Sequence, residues 1–412
     1  MRACIPRCGV VMRKLGLGTI ALMATAFCAP ANATTTLTAQ QYWQATTALR
    51  VMGAVNLVTF GDATLHSDVE GKVYVGGNLT GNNAPVAIGN GSGKSYLQLS
   101  KYRSLTVGGN ATNVQVNNGI GLTNVEAVVG GSASGVQINN GTATASLQVG
   151  GNFNAQNFNP SSKKKATYGG TATNVQTQDQ AYVTQNTALK LGGASDLKAV
   201  IANVTATYQT DLTLLSQILG ALTPNATLDS SNVNNIHFNF TADANASDFA
   251  VADISAAQLA SGTFNLPNYA TATNGKTLIV NVSGANVAFG ANEIGNGSLI
   301  QQNIIWNFMD ATTVAVNTAI YGSVLAPKAT ISGNSPINGS VVAKVFQSNG
   351  EVHLGTFNGN THFLVAPPHG GGSGGSPGGV PEPSSWMTML AGFGIIGSLI
   401  RRQRRRERLA AA

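Results

Sequence analysis

Val73-Tyr74-Val75-Gly76-Gly77-Asn78-Leu79 is the stretch that decides the fold, because a short apolar strand runs into a glycine pair and the pattern then recurs. The first glycines of the six pairs lie at residues 76, 108, 130, 150, 169 and 192, with spacings of 32, 22, 20, 19 and 23. One strand and one turn per repeat indicate the coils of a solenoid, which stack their inward Val, Ile and Leu side chains. We expect the glycine pairs to form corners with positive φ. A propeller blade needs about twice this period.

Composition also favours a mainly β domain. The chain of 412 residues is 43% hydrophobic and 9% charged, and it contains 49 glycines. A disordered chain is normally richer in charge and poorer in β-branched residues. Short Val, Ile and Leu runs separated by Asn-Gly and Gly-Gly are typical of many short strands joined by tight turns. We therefore predict a mainly β fold, a right-handed β-helix, over residues 34–366.

Two segments have a helical pattern instead. Thr38-Ala39-Gln40-Gln41 matches a capping box and predicts a short N-terminal helix. After Ser195, apolar residues spaced three or four apart predict one long helix that ends near Gly220. Packing along the flank of the solenoid is favoured over a partner-binding face for this apolar stripe. Strand signals resume beyond the long helix, at Ile236–Phe240, Thr277–Val282, Leu299–Phe308 and Ala319–Leu325.

The N-terminal residues 1–33 have the pattern of a secretory signal peptide. Basic residues precede an apolar segment over residues 15–27, and Ala31-Asn32-Ala33 supplies the small side chains that signal peptidase accepts. Cleavage between Ala33 and Thr34 is expected, after general secretion. The cysteines Cys4, Cys8 and Cys28 all lie in the removed segment, so the mature chain is expected to have no disulfide and no thiolate metal site.

The C-terminal segment has the pattern of a sorting tag. Residues 367–379 are nearly all Gly, Ser and Pro, which is typical of a flexible linker. Pro381-Glu382-Pro383 follows, and then Trp386–Ile400, an apolar run shorter than the roughly 20 residues of a spanning helix. The positive-inside rule predicts that the arginines after this run stay cytoplasmic: Arg401, Arg402, Arg404, Arg405, Arg406 and Arg408.

Residues 380–408 resemble the PEP-CTERM signal of Gram-negative bacteria, which an exosortase processes. The resemblance implies that Pro381, Glu382 and Pro383 are the recognition element, with the short transmembrane segment and the arginines positioning it. It also implies transient anchoring in the inner membrane, followed by release or attachment at the cell surface or in the extracellular matrix. Exosortase and signal peptidase are the partners expected during maturation.

Net charge argues against a nucleic-acid partner. The formal charge is +7. The signal segment contributes +4 and the tail +5, which leaves 7 − 4 − 5 = −2 for residues 34–400. A nucleic-acid interface needs a basic face on the folded domain. Lys163-Lys164-Lys165 is the one local cluster, and we interpret it as a solvated loop.

Two stretches carry a second family resemblance. The opening is Phe60-Gly61-Asp62 with His66 through Asn78, and the close is Ile320 through Pro327 with Ile337 through Lys344 and Glu351 through Phe357. Together they resemble the beginning and end of the choice-of-anchor A domain, over roughly residues 55–360. The resemblance implies a surface protein with an alternative anchor, of a family regarded as adhesins. The close is also similar to the end of bacterial ice-binding β-helices, which likewise carry a flanking helix.

Candidate chemistry is sparse. Asp62, Asp68 and Glu70 cluster near the start, where paired acids would suit glycoside hydrolysis or calcium binding. Turn hydrogen bonds beside the first coil are the favoured interpretation of these acids. His353 and His362 near Glu351 are a weaker candidate for a metal site than for a structural role. We expect no catalysis and no cofactor.

Ice binding is the first alternative function. Flat solenoids present Thr-x-Thr rows, and such pairs begin here at Thr142, Thr171, Thr205 and Thr271. Their spacings of 29, 34 and 66 do not follow a 20-residue coil, so regular ranks are not expected. The sequence thus predicts an exported adhesin or structural protein of the surface or matrix, with exopolysaccharide or matrix components as candidate partners. A polysaccharide-binding or polysaccharide-cleaving β-helix enzyme is the second alternative.

Overall fold

The computed structural model describes residues 37–89, 102–119, 122–267, 269, 275–295 and 297–367. In this part of the chain the structure is mainly β with few helices, and 22 strands belong to one sheet. Nearly all strand pairs are parallel, and the pair of β17 with β18 is antiparallel. The coarse prediction of a mainly β fold is confirmed. The boundaries at residues 34 and 366 stay a prediction.

The helices are α1 (Ala39–Ala54), α2 (Leu197–Gly220), α3 (Ala242–Ala246), α4 (Ala256–Leu259) and α5 (Gly297–Ile300), with 3-10 turns at Thr177–Tyr182 and Thr187–Leu189. The strands are β1 (Leu57–Thr59), β2 (Ala63–Leu65), β3 (Val73–Val75), β4 (Leu79–Thr80), β5 (Pro85–Val86), β6 (Leu105–Val107), β7 (Ala111–Thr112), β8 (Gln115–Asn117), β9 (Asn124–Val129), β10 (Ala133–Ser134), β11 (Gln137–Asn139), β12 (Thr144–Val149), β13 (Phe153–Asn154), β14 (Lys164–Tyr168), β15 (Ala172–Thr173), β16 (Val183–Gln185), β17 (Ala226–Asp229), β18 (His237–Phe240), β19 (Phe249–Ser255), β20 (Thr263–Leu266), β21 (Thr277–Ser283), β22 (Asn286–Phe289), β23 (Asn292–Gly295), β24 (Ile304–Asn307), β25 (Thr313–Val316), β26 (Ile320–Tyr321), β27 (Ser323–Gly333), β28 (Ile337–Asn338), β29 (Val341–Ser348) and β30 (Val352–His353).

Most of the parallel pairs form three ladders, while β20 pairs separately with β23 and β17 pairs with β19. The helix-covered ladder runs in the order β19, β21, β24, β27, β29, β1, β3, β6, β9, β12, β14 and β16. The open ladder runs β22, β25, β27, β29, β2, β4, β7, β10, β13 and β15. The third ladder joins β26, β28 and β30 through bridges at Val69 to β5, β8 and β11.

The first strand in sequence, β1, lies in the middle of the helix-covered ladder. Strand β1 pairs on one side with β3, which follows it in sequence, and on the other with β29, where Leu57 meets Val341. The chain therefore adds strands outward from β1 to β16, crosses back, and adds strands from β19 until β29 meets β1. The opening and closing stretches that carry the choice-of-anchor A resemblance are neighbours in space because of this path.

Helix α2 makes the crossing. Beside Lys198 lies Gly130, which follows β9, while the carbonyl oxygen of Leu219 accepts a hydrogen bond from Asn281 of β21. Those strands are seven rungs apart in the helix-covered ladder, about 34 Å at ~4.8 Å a rung. The 21 residues from Lys198 to Leu219 span about 32 Å at ~1.5 Å a residue. The length of the helix thus matches the distance it must cover.

Both predicted helices are confirmed. Thr38 caps α1 in a capping box with Gln41, and the Asp196 side chain caps α2 by accepting from the N–H of Ala199. The apolar stripe of α2 packs on the helix-covered ladder and on α1, as the flank interpretation predicted. Val200, an apolar residue in the first turns of α2, is 49% exposed and does not belong to the buried stripe. The short helices α3, α4 and α5 were not predicted.

A buried core lies on each surface of the helix-covered ladder. One surface carries residues such as Leu57, Val73 and Leu105, which are in register and almost fully buried inside the ladders. The other surface carries Val58 and Tyr74, which pack under the helices. A strand buried on both faces lacks the alternation of a half-exposed strand. This explains continuous apolar runs such as Val73-Tyr74-Val75.

The glycine repeat is confirmed for five copies, but its expected cause is wrong. The first glycines at 76, 108, 130, 150 and 169 follow β3, β6, β9, β12 and β14, and none of them has positive φ. They are required because of crowding instead. A Cβ at Gly108 would lie 2.1 Å from the carbonyl oxygen of Gly76, and one at Gly76 would lie 2.5 Å from a methyl group of Thr205 on α2. The glycines let rungs and helix approach closely.

Two further sequence predictions are wrong in part. The sixth copy, at Gly192, is a turn before α2, where Leu191 is 74% exposed and Gly192 itself has φ of 72°. The predicted strand over Leu299–Phe308 begins with the last residues of α5, and only Ile304–Asn307 forms a strand. Both segments contain apolar residues that lie in a turn or a short helix, and the apolar pattern of the sequence does not distinguish these from strands.

Candidate functional site

The open ladder presents small polar side chains in two rows. On successive strands an inward residue such as Leu79, Ala111 or Phe153 is fully buried, and polar residues precede and follow it. We call the preceding residues the first rank and the following residues the second rank. The first rank is Asp62, Asn78, Asn110, Ser132, Asn152 and Thr171, and the second is Thr64, Thr80, Thr112, Ser134, Asn154 and Thr173.

The first rank is a continuous hydrogen-bonded ladder. The backbone N–H of Asn78 donates to Asp62 Oδ1 at 2.7 Å, and the backbone N–H of Asn110 donates to Asn78 Oδ1 at 2.9 Å. The same bond recurs on the next three rungs at 2.8, 3.0 and 2.9 Å. A Cβ at Gly109 would lie 2.4 Å from Asn78 Oδ1, so the second glycine of each pair makes room for the ladder. These side chains are held rigidly.

The second rank is open to solvent. Thr80 and Thr173 are exposed, and the other four members are half-buried. Neighbouring rungs are about 4.8 Å apart, and the two ranks are about 6.7 Å apart along each strand. Asp62 is the one ionisable residue in the two ranks. The surface therefore offers hydroxyl and amide groups on a nearly uncharged grid, which suits many weak hydrogen bonds to an extended or repetitive surface.

The Thr-x-Thr pairs form no regular ranks, as expected, but the sequence search missed the regular ranks that threonine, serine and asparagine form together. A search for Thr-x-Thr finds one pair of the grid, Thr171 and Thr173, because asparagine and serine occupy most other positions. Thr205 is buried on α2, and Thr144 lies in β12 of the helix-covered ladder. The pair that begins at Thr271 lies outside the described residues. A search for any small polar residue on both sides of the inward position would have found the ranks.

One of the early acids, Glu70, joins the beginning of the domain to its end. Glu70 is buried and accepts hydrogen bonds from the backbone N–H of Leu354 at 2.6 Å and from His353 Nδ1 at 3.2 Å. His353 Nε2 lies 3.2 Å from Glu351. The bond to Glu70 raises the pKa of His353, with further contributions from Glu351 and Asp68. Glu70 therefore joins β30, near the end of the domain in sequence, to the neighbouring bridge at Val69, near its beginning, which the expectation of local turn bonds did not include.

The other predicted ligands do not converge. Asp62 belongs to the first rank, and His362 pairs with Asp248 at 2.7 Å, so His353 and His362 do not share a site. In the described residues no group of three or more His, Cys, Asp or Glu side chains is placed to hold a metal ion.

Two residues of the lysine cluster, Lys164 and Lys165, belong to a strand, while Lys163 lies in the turn before it, so the loop interpretation is wrong in part. Lys164 begins β14, lies 5.6 Å from the centre of the Phe158 ring and donates to the carbonyl oxygen of Ile138 at 3.1 Å. Burial lowers its pKa. Lys163 and Lys165 are exposed, and within the strand exposed Lys165 lies between half-buried Lys164 and buried Ala166, as alternation along a strand requires.

The predicted targeting residues lie outside the described part of the chain. These are Ala31, Ala33 and Thr34 at the expected signal cleavage, Pro381-Glu382-Pro383, and the arginines from 401 to 408. The transmembrane segment predicted at 386–400 lies there too. Among the residues that the structure describes, no helix has the length and hydropathy to cross a membrane.

Comparison with known families identifies the folded domain and the tail. The family model described as "Putative Ice-binding-like adhesive domain" matches residues 48–146 and 139–354. The chain belongs to this family. A second model, the PEP-CTERM protein-sorting motif, matches residues 379–406. The ice-binding-like adhesive domain is thus followed by a sorting signal, which indicates export to the surface or the extracellular space and processing by an exosortase.

Solved structures and curated proteins add little to this assignment. An ice binding protein from an Antarctic bacterium Flavobacteriaceae is similar over 74% of this chain and 83% of its own, at 12% identity and a TM-score of 0.21. A likeness at this TM-score carries no argument. No curated protein matches the chain.

Proposed function

We propose that this protein is an adhesin or structural protein of the cell surface or extracellular matrix, with no catalytic role, and that it adheres through the two polar ranks of the open ladder. The observation that carries the proposal is the grid itself. Six rungs in register present small polar side chains on the open ladder, and every member of the second rank is exposed or half-buried. Regular, rigid hydrogen-bonding groups suit a repetitive partner such as exopolysaccharide or another matrix component.

The fold and the family support this role. We infer that the three ladders are the sides of a right-handed β-helix with α2 along its flank, as the glycine period predicts. The spatial joining of the opening and closing stretches supports membership of the choice-of-anchor A group. Histidines beside carboxylates, at His353 and His362, hold distant segments together, which favours a structural over a catalytic use.

The proposed adhesive surface is tested by comparing lysine substitutions on the open ladder with lysine substitutions on the third ladder. Thr80→Lys with Thr112→Lys places two ammonium groups in the second rank, and Gln115→Lys with Gln137→Lys places the same charge on the third ladder. Cells that carry the first variant should lose most of their retention in matrix under flow, while cells with the second should keep it. Both variants must reach the surface in equal amounts. Equal retention would contradict the proposed surface.

We propose that the two terminal segments direct the maturation of the protein. Residues 1–33 are removed as a signal peptide, 34–366 form the domain, 367–379 the linker and 380–408 the sorting signal. Proline disfavours helical backbone at its own position and before it, a preference that suits recognition of Pro381-Glu382-Pro383 by an exosortase. Replacing these three residues by alanine should leave a larger precursor in the inner membrane. Normal gel mobility and fractionation of that variant would show that the tail is a plain anchor.

Ice binding is the second candidate, because the ranks are regular and the family description contains that activity. Ice binding would be favoured if the protein shapes ice crystals and shows thermal hysteresis at micromolar concentration, and if the Thr80→Lys, Thr112→Lys variant does neither. Their absence together with matrix retention supports adhesion. Release of reducing ends or unsaturated products from matrix polysaccharide would instead favour the enzyme alternative.

A further inference from the structure

A groove lies where the first turns of α1 pass the C-terminal half of α2. Its volume is about 760 Å³, within the range of sites for small molecules. Five glutamines line it, namely Gln40, Gln41, Gln44, Gln209 and Gln217, together with three threonines and one leucine. No ionisable side chain is among the lining residues.

Two of the glutamines are held in place. Gln44 Nε2 donates to Asp211 Oδ1 at 2.9 Å, and Asp211 is itself only 6% exposed. Gln41 Oε1 accepts from the backbone N–H of Thr38 at 3.0 Å, which is one half of the capping box. The Oε1 atom of Gln44 and the amide nitrogen of Gln41 keep their hydrogen-bonding capacity. The deeper part of the groove is therefore preorganised by the helix start and by a buried carboxylate.

The other three glutamines present their side-chain amides to solvent. Gln40, Gln209 and Gln217 are exposed, and each amide offers two donors and one acceptor. Groups that donate and accept side by side match vicinal hydroxyl groups. Leu214 is the single apolar lining residue, so a lipid or other apolar ligand would find little surface to bury. The absence of Lys and Arg from the lining gives an anionic ligand no advantage.

We propose that this glutamine groove binds a neutral oligosaccharide. The groove lies on the helical flank, whereas the polar ranks lie on the open ladder, so the site is independent of the proposed adhesive surface. A protein with both would hold a sugar chain by its flank while its open ladder contacts the matrix.

The test uses the processed protein released from exosortase-bearing cells. Maltohexaose, cellohexaose and xylohexaose are the neutral probes, trigalacturonate is the acidic one, and binding is measured by saturation-transfer NMR and calorimetry. Gln209→Ala with Gln217→Ala should weaken binding of the preferred neutral sugar about tenfold, because two hydrogen bonds at ~0.5–1.5 kcal/mol each are lost. The matched control is Asn203→Ala with Thr207→Ala, exposed on the same helix outside the groove.

The result that supports the site is a neutral sugar whose affinity falls in the glutamine variant and not in the control. Lack of binding to all three neutral sugars, a preference for trigalacturonate, or equal affinity in both variants would overturn it. Retention in matrix, measured on the same variants, reports the open ladder separately, so either assignment can fail alone.

Discussion

Gly108→Ala is the substitution that tests the close-approach account of the glycine repeat. The new Cβ would lie 2.1 Å from the carbonyl oxygen of Gly76 and 3.3 Å from a methyl group of Ile201 on α2. Cβ atoms in proteins essentially never lie within 3.0 Å of another heavy atom, so the strand must move away from its neighbour. Rotation of one side chain cannot relieve a contact with the backbone.

The cost follows from the bonds beside the contact. Gly108 N–H donates to Val75 and Gly109 N–H donates to Gly77, both at 2.7 Å. Moving the strand weakens both bonds, at about 0.5–1.5 kcal/mol each. Overpacking adds about 1–3 kcal/mol. We expect Gly108→Ala to lower the free energy of unfolding by about 3 kcal/mol.

The assay is urea unfolding of the processed protein, with Gly141→Ala as the control. Gly141 has φ of 56°, and a Cβ at this residue would meet nothing within 4 Å. Alanine there meets only the left-handed backbone cost of about 1 kcal/mol. The midpoint should fall more for residue 108 than for residue 141. If Gly108→Ala is as stable as Gly141→Ala, crowding is not what the repeat requires.

Three further predictions concern single polar groups. Burial raises the pKa of Glu293 well above its usual value, and one of its carboxylate oxygens has no partner in the described residues. Glu293→Gln should therefore stabilise the protein at pH 7.5 and have little effect near pH 3, where the side chain is protonated in both the folded and the unfolded state. Equal unfolding midpoints at pH 7.5 would contradict this. The pKa of His353 is raised in the folded state, so its contribution to the free energy of unfolding is complete below pH ~6.5 and is lost as the pH rises through the folded pKa. Thermal melts of the wild type and of His353→Gln should therefore differ at pH 6 and converge by pH 9. Asn110→Ala removes the acceptor for the N–H of Ser132 and should cost about 1 kcal/mol in urea, whereas Asn203→Ala, exposed on α2, should cost almost nothing.

Much of the architecture is visible in the sequence because it repeats. The glycine spacing predicts strands that lie in register, and the capping box and the apolar stripe predict α1 and α2. These features depend on local chemistry or on a period, so one copy informs the next. The sorting tag is equally visible, because its order of proline, carboxylate, apolar run and arginines is linear.

The rest depends on contacts between distant residues. Nothing local in Leu57 or Val341 shows that β1 pairs with β29 at the other end of the domain. The polar ranks escape a search for one residue type, because threonine, serine and asparagine exchange freely where a small hydrogen-bonding group suffices. The expectation of positive φ is wrong at the five glycine pairs that follow strands, for a related reason, whereas Gly192 in its turn does have positive φ. A glycine in a sequence shows that no side chain is present. It does not show whether a positive φ or steric crowding is the reason.

The central claim is that the second rank of the open ladder contacts the matrix, and cysteine labelling on cells tests it most directly. The chain has no cysteine after Cys28, so Thr112→Cys and Gln115→Cys each introduce one reactive thiol into the domain. In dispersed cells both should react with a polar maleimide. In intact matrix the account predicts that Thr112→Cys becomes protected several-fold while Gln115→Cys reacts as before. Equal labelling of Thr112→Cys in the two conditions would contradict the account.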